Sequence, residues 1–404
     1  MQKKLVLLGV TGGIAAYKGA ELVSLLVKQN LHVQIVMTKK AQEFITPLTL
    51  SALSGNPVWL DEFDYQQRLP VPHVTLAEQA DLLVIAPATA NTIAKLAQGI
   101  GDNLLTSLAL AYNKKMLVAP AMNANMYRHP AVQANLRILQ ERGVEIIQPE
   151  VGYLACGAVG PGRLAPVAEI AARIQFHLFQ PKTWLGKKVL VTAGGTRENI
   201  DPVRYIGNRS SGKMGFALAK AAWLRGAETV LISGPTELKA PPGMQYRQVE
   251  SAEEMREAVL EYYPETDVVI KAAAVADFRP AQAGLHKIKK DSDYSAIPLV
   301  RTPDILQELG EKKREQILVG FAAETEHLLA HARQKMKKKK LDLIVANDVT
   351  REGAGFAADT NQVALLFPDG QVQQLPLMSK EEVAQRILSA VENMPRFQKQ
   401  PSRA

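Results

Sequence analysis

The chain has 404 residues, 47% of them hydrophobic, with 48 lysines and arginines against 40 acidic residues. That length suits two domains with full cores, and the formal net charge of +8 suits anionic small molecules or nucleic acid without choosing between them. The single cysteine, Cys156, excludes an intrachain disulfide and points to a cytoplasmic setting. Lys3-Lys4 before an apolar run imitate a secretory leader, but the run breaks at Gly9 and at Thr11-Gly12-Gly13. No apolar segment approaches the ~20 residues of a membrane span.

The sequence restarts halfway along. Lys3-Lys4-Leu5-Val6-Leu7-Leu8-Gly9-Val10-Thr11-Gly12-Gly13 returns as Lys187-Lys188-Val189-Leu190-Val191-Thr192-Ala193-Gly194-Gly195-Thr196. Each copy is a polar start, an apolar run, a threonine and a glycine pair. This is the pattern of a buried first strand turning tightly into a helix whose start faces an anion. Two such openings imply two α/β domains, each a doubly wound parallel sheet. Their expected extents are residues 1–181 and 187–392, with a polar tail over 393–404.

In the first half, a strand over 5–10 and a helix over 14–29 are followed by strands over 32–38, 82–86, 116–119 and 144–147. Helical stretches separate them, so ligands belong outside the carboxyl ends of the strands. Those ends carry Gly12 and Gly13, Thr38, Pro87-Ala88-Thr89-Ala90-Asn91, and Pro120-Ala121-Met122-Asn123-Ala124-Asn125-Met126. They offer small residues, hydroxyls and amides, with no carboxylate. No acidic residue follows the second strand to hold a ribose, and Gly-x-Gly-x-x-Gly is missing. A dinucleotide site of the NAD type is therefore disfavoured, and a mononucleotide such as FMN fits better.

Taken singly, His73 after Leu69-Pro70-Val71-Pro72 reads as a loop histidine, Asn123 as a helix N-cap, and Cys156 as a small buried filler. Cys156, however, sits in Gly152-Tyr153-Leu154-Ala155-Cys156-Gly157-Ala158-Val159-Gly160-Pro161-Gly162. That stretch makes a poor core segment and suits a flap carrying a thiol. Together, His73, the run Pro120 to Met126 and the Cys156 flap resemble the flavin-dependent cysteine decarboxylase family over about residues 1–180. Tyr127 stands where many members carry Trp. The resemblance implies a flavodoxin-like domain binding FMN through Gly12, Gly13, Thr38, Pro87, Ala88, Thr89, Asn91, Ala121 and Met122. It implies that FMN oxidises the cysteine side chain of 4′-phosphopantothenoylcysteine to a thioaldehyde, the carboxylate leaves, and the electrons return. Cys156 then supplies a proton, His73 assists as base and Asn123 binds the carboxylate.

After a linker over 181–186, the second half opens with a strand over 189–192. A long polar loop from Gly194 to Gly215 holds Arg197, Arg204, Arg209 and Lys213, more positive charge than a plain glycine turn needs. Strands over 229–232, 268–274, 317–323 and 341–346 follow, and strands over 363–367 and 371–375 flank a Pro368-Asp369-Gly370 turn. Ser251 and Glu254 suggest a capping box. Asp277, after the strand over 268–274, is placed for a metal-linked carboxylate. Lys335 and Lys339 share one helix face that could meet a triphosphate. Nucleic-acid binding there is disfavoured, because the helix is short and no aromatic residues interleave.

Gly207-Asn208-Arg209-Ser210-Ser211-Gly212-Lys213-Met214-Gly215, Ala273-Ala274-Val275-Ala276-Asp277, Lys287-Ile288-Lys289-Lys290 and Gly320-Phe321-Ala322-Ala323-Glu324-Thr325 resemble the phosphopantothenate–cysteine ligase family over residues 187–392. The resemblance implies a Rossmann-like domain in which the carboxylate of 4′-phosphopantothenate attacks the α-phosphate of CTP. An acyl cytidylate forms, and the amine of cysteine displaces CMP. Carried over, Asp277, Lys287, Phe321, Lys335 and Lys339 bind CTP, and Lys287 serves catalysis. Backbone at Ala272-Ala273 and Pro303-Asp304-Ile305-Leu306 reads the cytosine. Asn208 contacts the acyl intermediate, Arg204 assists, and Mg²⁺ or Mn²⁺ sits at Asp277. Both resemblances imply homo-oligomers, with trimeric contacts in the first half and dimeric ones in the second. The expectation is a bifunctional enzyme of coenzyme A biosynthesis, with 4′-phosphopantothenate, cysteine and CTP as partners and neither nucleic acid nor membrane. The alternative is a two-domain flavin-dependent oxidoreductase, which needs a nicotinamide site that the sequence does not show.

Overall fold

The computed structural model describes residues 3–61, 71–153, 157, 159–179, 181–289, 296–324, 328–348 and 358–399. The chain divides into two compact units, Met1–Gln180 and Pro181–Ala404. Among the described residues, no helix is long and apolar enough to cross a membrane.

The strands of the first unit are β1 (Leu5–Val10), β2 (His32–Met37), β3 (Val58–Trp59), β4 (Leu82–Ala88), β5 (Met116–Pro120), β6 (Glu145–Ile146), β7 (Glu150–Tyr153) and β8 (Val159–Arg163). The first six form one parallel sheet in the order β3-β2-β1-β4-β5-β6. Without the two-residue edge strand β3, this is the flavodoxin order, and its crevice opens between β1 and β4, where the winding reverses. Both faces are covered. Val6, Leu8 and Val10 of β1 pack towards the helices Lys18–Lys28 and Val167–Leu178, and Leu7 packs on the opposite side with Leu76, Ile93 and Leu105. Strands buried on two faces read as unbroken apolar runs.

Two local expectations change, and a third gains detail. Residues 14–29 begin with a 3₁₀ turn, Ile14–Tyr17, before the α-helix Lys18–Lys28. His73 lies not in a loop before a strand but in the first turn of the helix Pro72–Gln79, because Pro72 at the first helical position gives up only an N–H that has no helical partner anyway. The glycine-rich stretch around Cys156 is an antiparallel hairpin of β7 and β8. Residues 154–156 and 158, Cys156 included, lie outside the described residues.

The second unit holds β9 (Lys188–Ala193), β10 (Arg197–Asn199), β11 (Tyr205–Gly207), β12 (Glu228–Ser233), β13 (Gln245–Gln248), β14 (Val268–Lys271), β15 (Phe278–Pro280), β16 (Leu299–Arg301), β17 (Ile317–Glu324), β18 (Leu343–Asp348), β19 (Thr360–Asn361), β20 (Val363–Leu366), β21 (Val372–Gln374) and β22 (Met378–Ser379). Its eight-stranded sheet runs β13-β12-β9-β14-β17-β18-β20-β21. It is parallel as far as β18, and β20 and β21 add an antiparallel edge. Gly370 turns the β20–β21 hairpin at φ 91°. The polar loop after β9 contains the short hairpin β10–β11. β14 ends at Lys271, three residues before the expected strand end, and beyond it only Ala274 bridges to Gly195. Ser251 caps its helix through the Glu254 N–H, but the Glu254 carboxylate takes the N–H of Glu250, so the box is only half made.

Residues 181–186 pack with the second unit. Trp184 is fully buried, its ring centroid lies 4.7 Å from that of Phe397, and its Nε1 donates to Glu392 at 2.6 Å. Arg225 holds the same carboxylate oxygen at 3.2 Å.

Candidate active sites

In the first unit the sheet topology gathers four strand ends. Thr11 Oγ1, just past β1, donates to Pro87 O at 2.7 Å and accepts the Thr89 N–H at 3.0 Å. Thr89 then caps the helix Ala90–Gln98, on whose first turn Asn91 is exposed. Ala121 N–H reaches Ala88 O at 3.0 Å. Gly12, Gly13, the segment Pro87–Asn91 and Ala121-Met122 therefore share one rim. Thr38 closes it from the end of β2. Its Oγ1 is buried and has no hydrogen-bond partner among the described residues, which is costly unless a ligand supplies one. A Cβ on Gly12 would overlap the Lys40 side chain and lie 2.8 Å from the Lys40 carbonyl carbon. A hydroxyl awaiting a partner and a glycine-walled turn fit the phosphate end of a mononucleotide such as FMN.

Asn123 follows directly, its Oδ1 accepting the Asn125 N–H at 2.8 Å. The Cys156 hairpin is anchored beside it. Met122 N–H donates to Gly162 O at 2.9 Å, and Gly162, at φ 128°, lies so close that a Cβ there would overlap the Met122 carbonyl. His73 is half-buried, and its Nδ1 is enclosed with no hydrogen-bond partner among the described residues.

The second unit has a cavity of about 940 Å³ over the carboxyl ends of β9, β14, β17 and β18. Asn208, Ala272, Ala273, Asp277, Pro303, Asp304, Ile305, Leu306, Phe321, Lys335 and Lys339, all expected from the sequence, line it together. Hydrogen bonds between strand ends hold its floor. Ala273 N–H reaches Thr192 Oγ1 at 3.2 Å, Ala274 N–H reaches Gly194 O at 2.8 Å, and Ala276 N–H reaches Thr196 Oγ1 at 3.0 Å. Asn208 Nδ2 donates to Val275 O at 2.9 Å. Lys335 donates to Phe321 O at 2.8 Å and Lys339 pairs with Asp304 at 2.8 Å. Burial works to raise Asp304, and Lys339 overcomes it and holds the carboxyl below its usual range.

Arg204 and Lys287 are outside that lining, and Asp201 ties Arg204 to the backbone of Ile288, the residue after Lys287. The Asp201 carboxylate accepts Arg204 Nε at 3.0 Å and the N–H groups of Val203, Arg204 and Ile288, and the hydrogen bond from Arg204 leads in holding it well below the carboxylate range. Arg204 also donates to Ile288 O at 2.9 Å. The arginine thus pins the backbone next to Lys287.

Sequence reasoning missed Lys271, at the end of β14. It lines the cavity, and burial, with Lys335 and Lys339 nearby, brings its ammonium down to about 8. A lysine closing the apolar run Val268-Val269-Ile270 was the available signal. Lys213, Lys380, Asn347 and Asn361 also line the cavity. Among the described residues no three acidic, histidine or cysteine side chains cluster as a metal cage; Asp277 and Asp304 are the carboxylates among the residues lining the cavity.

Two family models match the chain. Flavoprotein covers residues 1–178, and DNA/pantothenate metabolism flavoprotein C-terminal domain covers residues 184–394. The chain is similar to the coenzyme A biosynthesis bifunctional protein CoaBC of Bacillus subtilis (strain 168), at 50% identity over 389 residues and 96% of each chain. It is similar to the protein of that name from Escherichia coli (strain K12), at 43% identity over 392 residues and 96% of each chain. Among solved structures, the C-terminal domain of a CoaBC protein is 47% identical, with 52% of this chain and 97% of that one covered and a TM-score of 0.46.

Proposed function

This chain belongs to the family of coenzyme A biosynthesis bifunctional proteins, and on that premise we propose how its two units divide the chemistry. It is a bifunctional enzyme, a phosphopantothenate–cysteine ligase and a phosphopantothenoylcysteine decarboxylase. The alternative of a two-domain flavin-dependent oxidoreductase is not favoured, because the match spans both units. The observation that carries the assignment of sites is the gathering of Asn208, Asp277, Phe321, Lys335, Lys339 and residues 303–306 around one cavity.

The second unit acts first. Backbone at Ala272-Ala273 and Pro303–Leu306 reads the base of CTP, Phe321 packs against the nucleotide, and Lys335 and Lys339 offset its charge. Lys287 meets the charge that builds on the α-phosphate as the 4′-phosphopantothenate carboxylate attacks. Arg204 is a positioning residue for Lys287, which its two bonds to Asp201 and Ile288 O support. Asn208 orients the acyl group for the amine of cysteine. Mg²⁺ or Mn²⁺ would be held by Asp277 together with phosphate oxygens and water.

The first unit takes the product. FMN would be held by Gly12, Gly13, Thr38, Pro87, Ala88, Thr89, Asn91, Ala121 and Met122, and it supplies a reversible two-electron acceptor for the substrate's cysteine side chain. Asn123 binds the departing carboxylate, His73 takes a proton at Nδ1, and Cys156 returns one to carbon. A cytoplasmic setting, where thiols stay reduced, suits a substrate and a proton donor that both carry thiols. Copies of the chain associate, through exposed apolar residues such as Ile14, Tyr17 and Leu48 in the first unit and Tyr205, Phe278 and Leu299 in the second.

The test is product mass. Pure protein is mixed with 4′-phosphopantothenate, cysteine, Mg²⁺ and CTP. The expected product is the amide less carbon dioxide, with CMP released. The amide alone would remove the flavin-site assignment, and no product with CTP would remove the nucleotide assignment.

A further inference from the structure

Four of the nucleotide residues above lie on one side of the cavity. Ile305, Leu306 and Lys335 come from helices, and Lys339 from the turn that ends the second, packed through Leu306, Leu309, Ala332 and Met336 on one face of the eight-stranded sheet. The helices Lys213–Leu224 and Lys380–Glu392 pack on the other face, through Leu218, Ala219, Val383 and Ile387. Each begins with a lysine that lines the same cavity. Neither Lys213 nor Lys380 has a role in the chemistry described so far.

Their surroundings are unusual for structural lysines. Lys380 is only 5% exposed, its Nζ donates to Ala358 O, and its N–H donates to Asp359 O at 3.0 Å. Lys213 Nζ pairs with Asp359 at 2.6 Å. Burial, then Lys213, holds Lys380 below the ordinary lysine range, and Asp359 opposes this. At one cavity wall the Lys213 ammonium thus pairs with a carboxylate that is 88% exposed, and the Lys380 ammonium donates to the carbonyl of the residue before that aspartate. A buried ammonium is costly unless well paired. An exposed aspartate paired with one lysine and next to a buried second one is easily exchanged for a multiply charged oxyanion, with which the hydrogen bonds are stronger.

We propose that Lys213 and Lys380 hold the two terminal phosphates of the nucleoside triphosphate, the part that leaves as pyrophosphate, and that Asp359 is the counter-ion Lys213 releases when it enters. This rests on the ligase reading above. In the step, a carboxylate oxygen bonds to the α-phosphorus while the bond from that phosphorus to the bridging oxygen breaks. The electron pair departs on pyrophosphate, and no proton or redox partner is needed. The two lysines meet that charge on the opposite face of the sheet from Lys335 and Lys339. Phosphate also occurs as the monoester of 4′-phosphopantothenate, and the test separates the two sources.

Full-length Lys213→Gln and Lys380→Gln are assayed for CTP-dependent ligation with inorganic pyrophosphate as product inhibitor. Loss of a charge-assisted contact should raise both the pyrophosphate inhibition constant and the KM for CTP about tenfold or more, with the KM for 4′-phosphopantothenate unchanged. Asp359→Asn should act in the opposite sense and tighten pyrophosphate several-fold, whereas general damage to the segment would weaken every constant. Lys213 is partly exposed, so its variant carries the test if Lys380→Gln does not fold. A raised KM for 4′-phosphopantothenate with unchanged pyrophosphate inhibition would give the pair to the monoester and overturn the proposal. So would unchanged constants, or weaker pyrophosphate binding in Asp359→Asn. If the wild-type protein releases no CMP from CTP, the ligase reading falls and takes this inference with it; active wild type with insensitive variants overturns this inference alone.

Discussion

Replacing Trp184 with alanine should melt the second unit selectively. The side chain is fully buried, packs with its ring centroid 4.7 Å from that of Phe397, and donates to Glu392 at 2.6 Å. The Lys187 ammonium lies 5.3 Å from the Phe397 ring centroid on the same assembly. Removing a buried tryptophan costs about 3–5 kcal/mol, most of it from lost transfer energy and the remaining cavity. For a unit of this size that corresponds to a fall in Tm of roughly 10 °C. Trp184→Phe keeps most of the packing and loses the indole hydrogen bond, so it should cost only about 1 kcal/mol. Differential scanning calorimetry of the full chain reads both units in one sample, and bound flavin marks the first. A fragment over 181–399 should likewise melt well above one that starts at Lys187, which lacks Trp184. A shift below about 2 °C in Trp184→Ala, or equal shifts of both units, would refute the reasoning, because the linker would then not belong to the second core.

Gly12→Ala should lose bound flavin, since its Cβ has no room beside Lys40, and Thr38→Val should loosen flavin several-fold by removing the buried unpartnered hydroxyl; full flavin absorbance after gel filtration of either variant would clear that residue. Cys156→Ser should stall decarboxylation after substrate oxidation while ligation continues, and equal loss of both activities would contradict two separate sites. Lys271, brought to about 8 by burial and by Lys335 and Lys339, should make the second unit gain stability as pH rises from about 8 towards the ordinary lysine value of about 10.4. In that window the unfolded chain keeps a proton that the folded chain has shed. Lys271→Met should flatten part of the slope of Tm against pH; an unchanged slope would show that Lys271 stays charged in the folded protein.

The sequence alone determined the strands that open each unit and the glycine turns that follow them. Leu5–Val10 and Lys188–Ala193 are legible because a parallel strand buried on both faces must be apolar throughout, and the glycines after them are needed for the turn itself. Pro368-Asp369-Gly370 is equally local, a turn whose residues carry their own backbone preferences. Other features have no local signature. Pro72 before His73 serves a loop or a helix start equally well, and only the packing of Leu76 and Ala77 into the core decides for the helix. The hairpins β10–β11 and β15–β16 have strands of only three residues, too short for an alternation of apolar and polar residues to mark them. Lys271, Lys213 and Lys380 meet because β14 lies between β9 and β17 and because two helices distant in sequence pack on one face. A lysine at a helix start looks the same in sequence whether it faces water or a cavity; its neighbours across the sheet settle which, and they are set by tertiary packing.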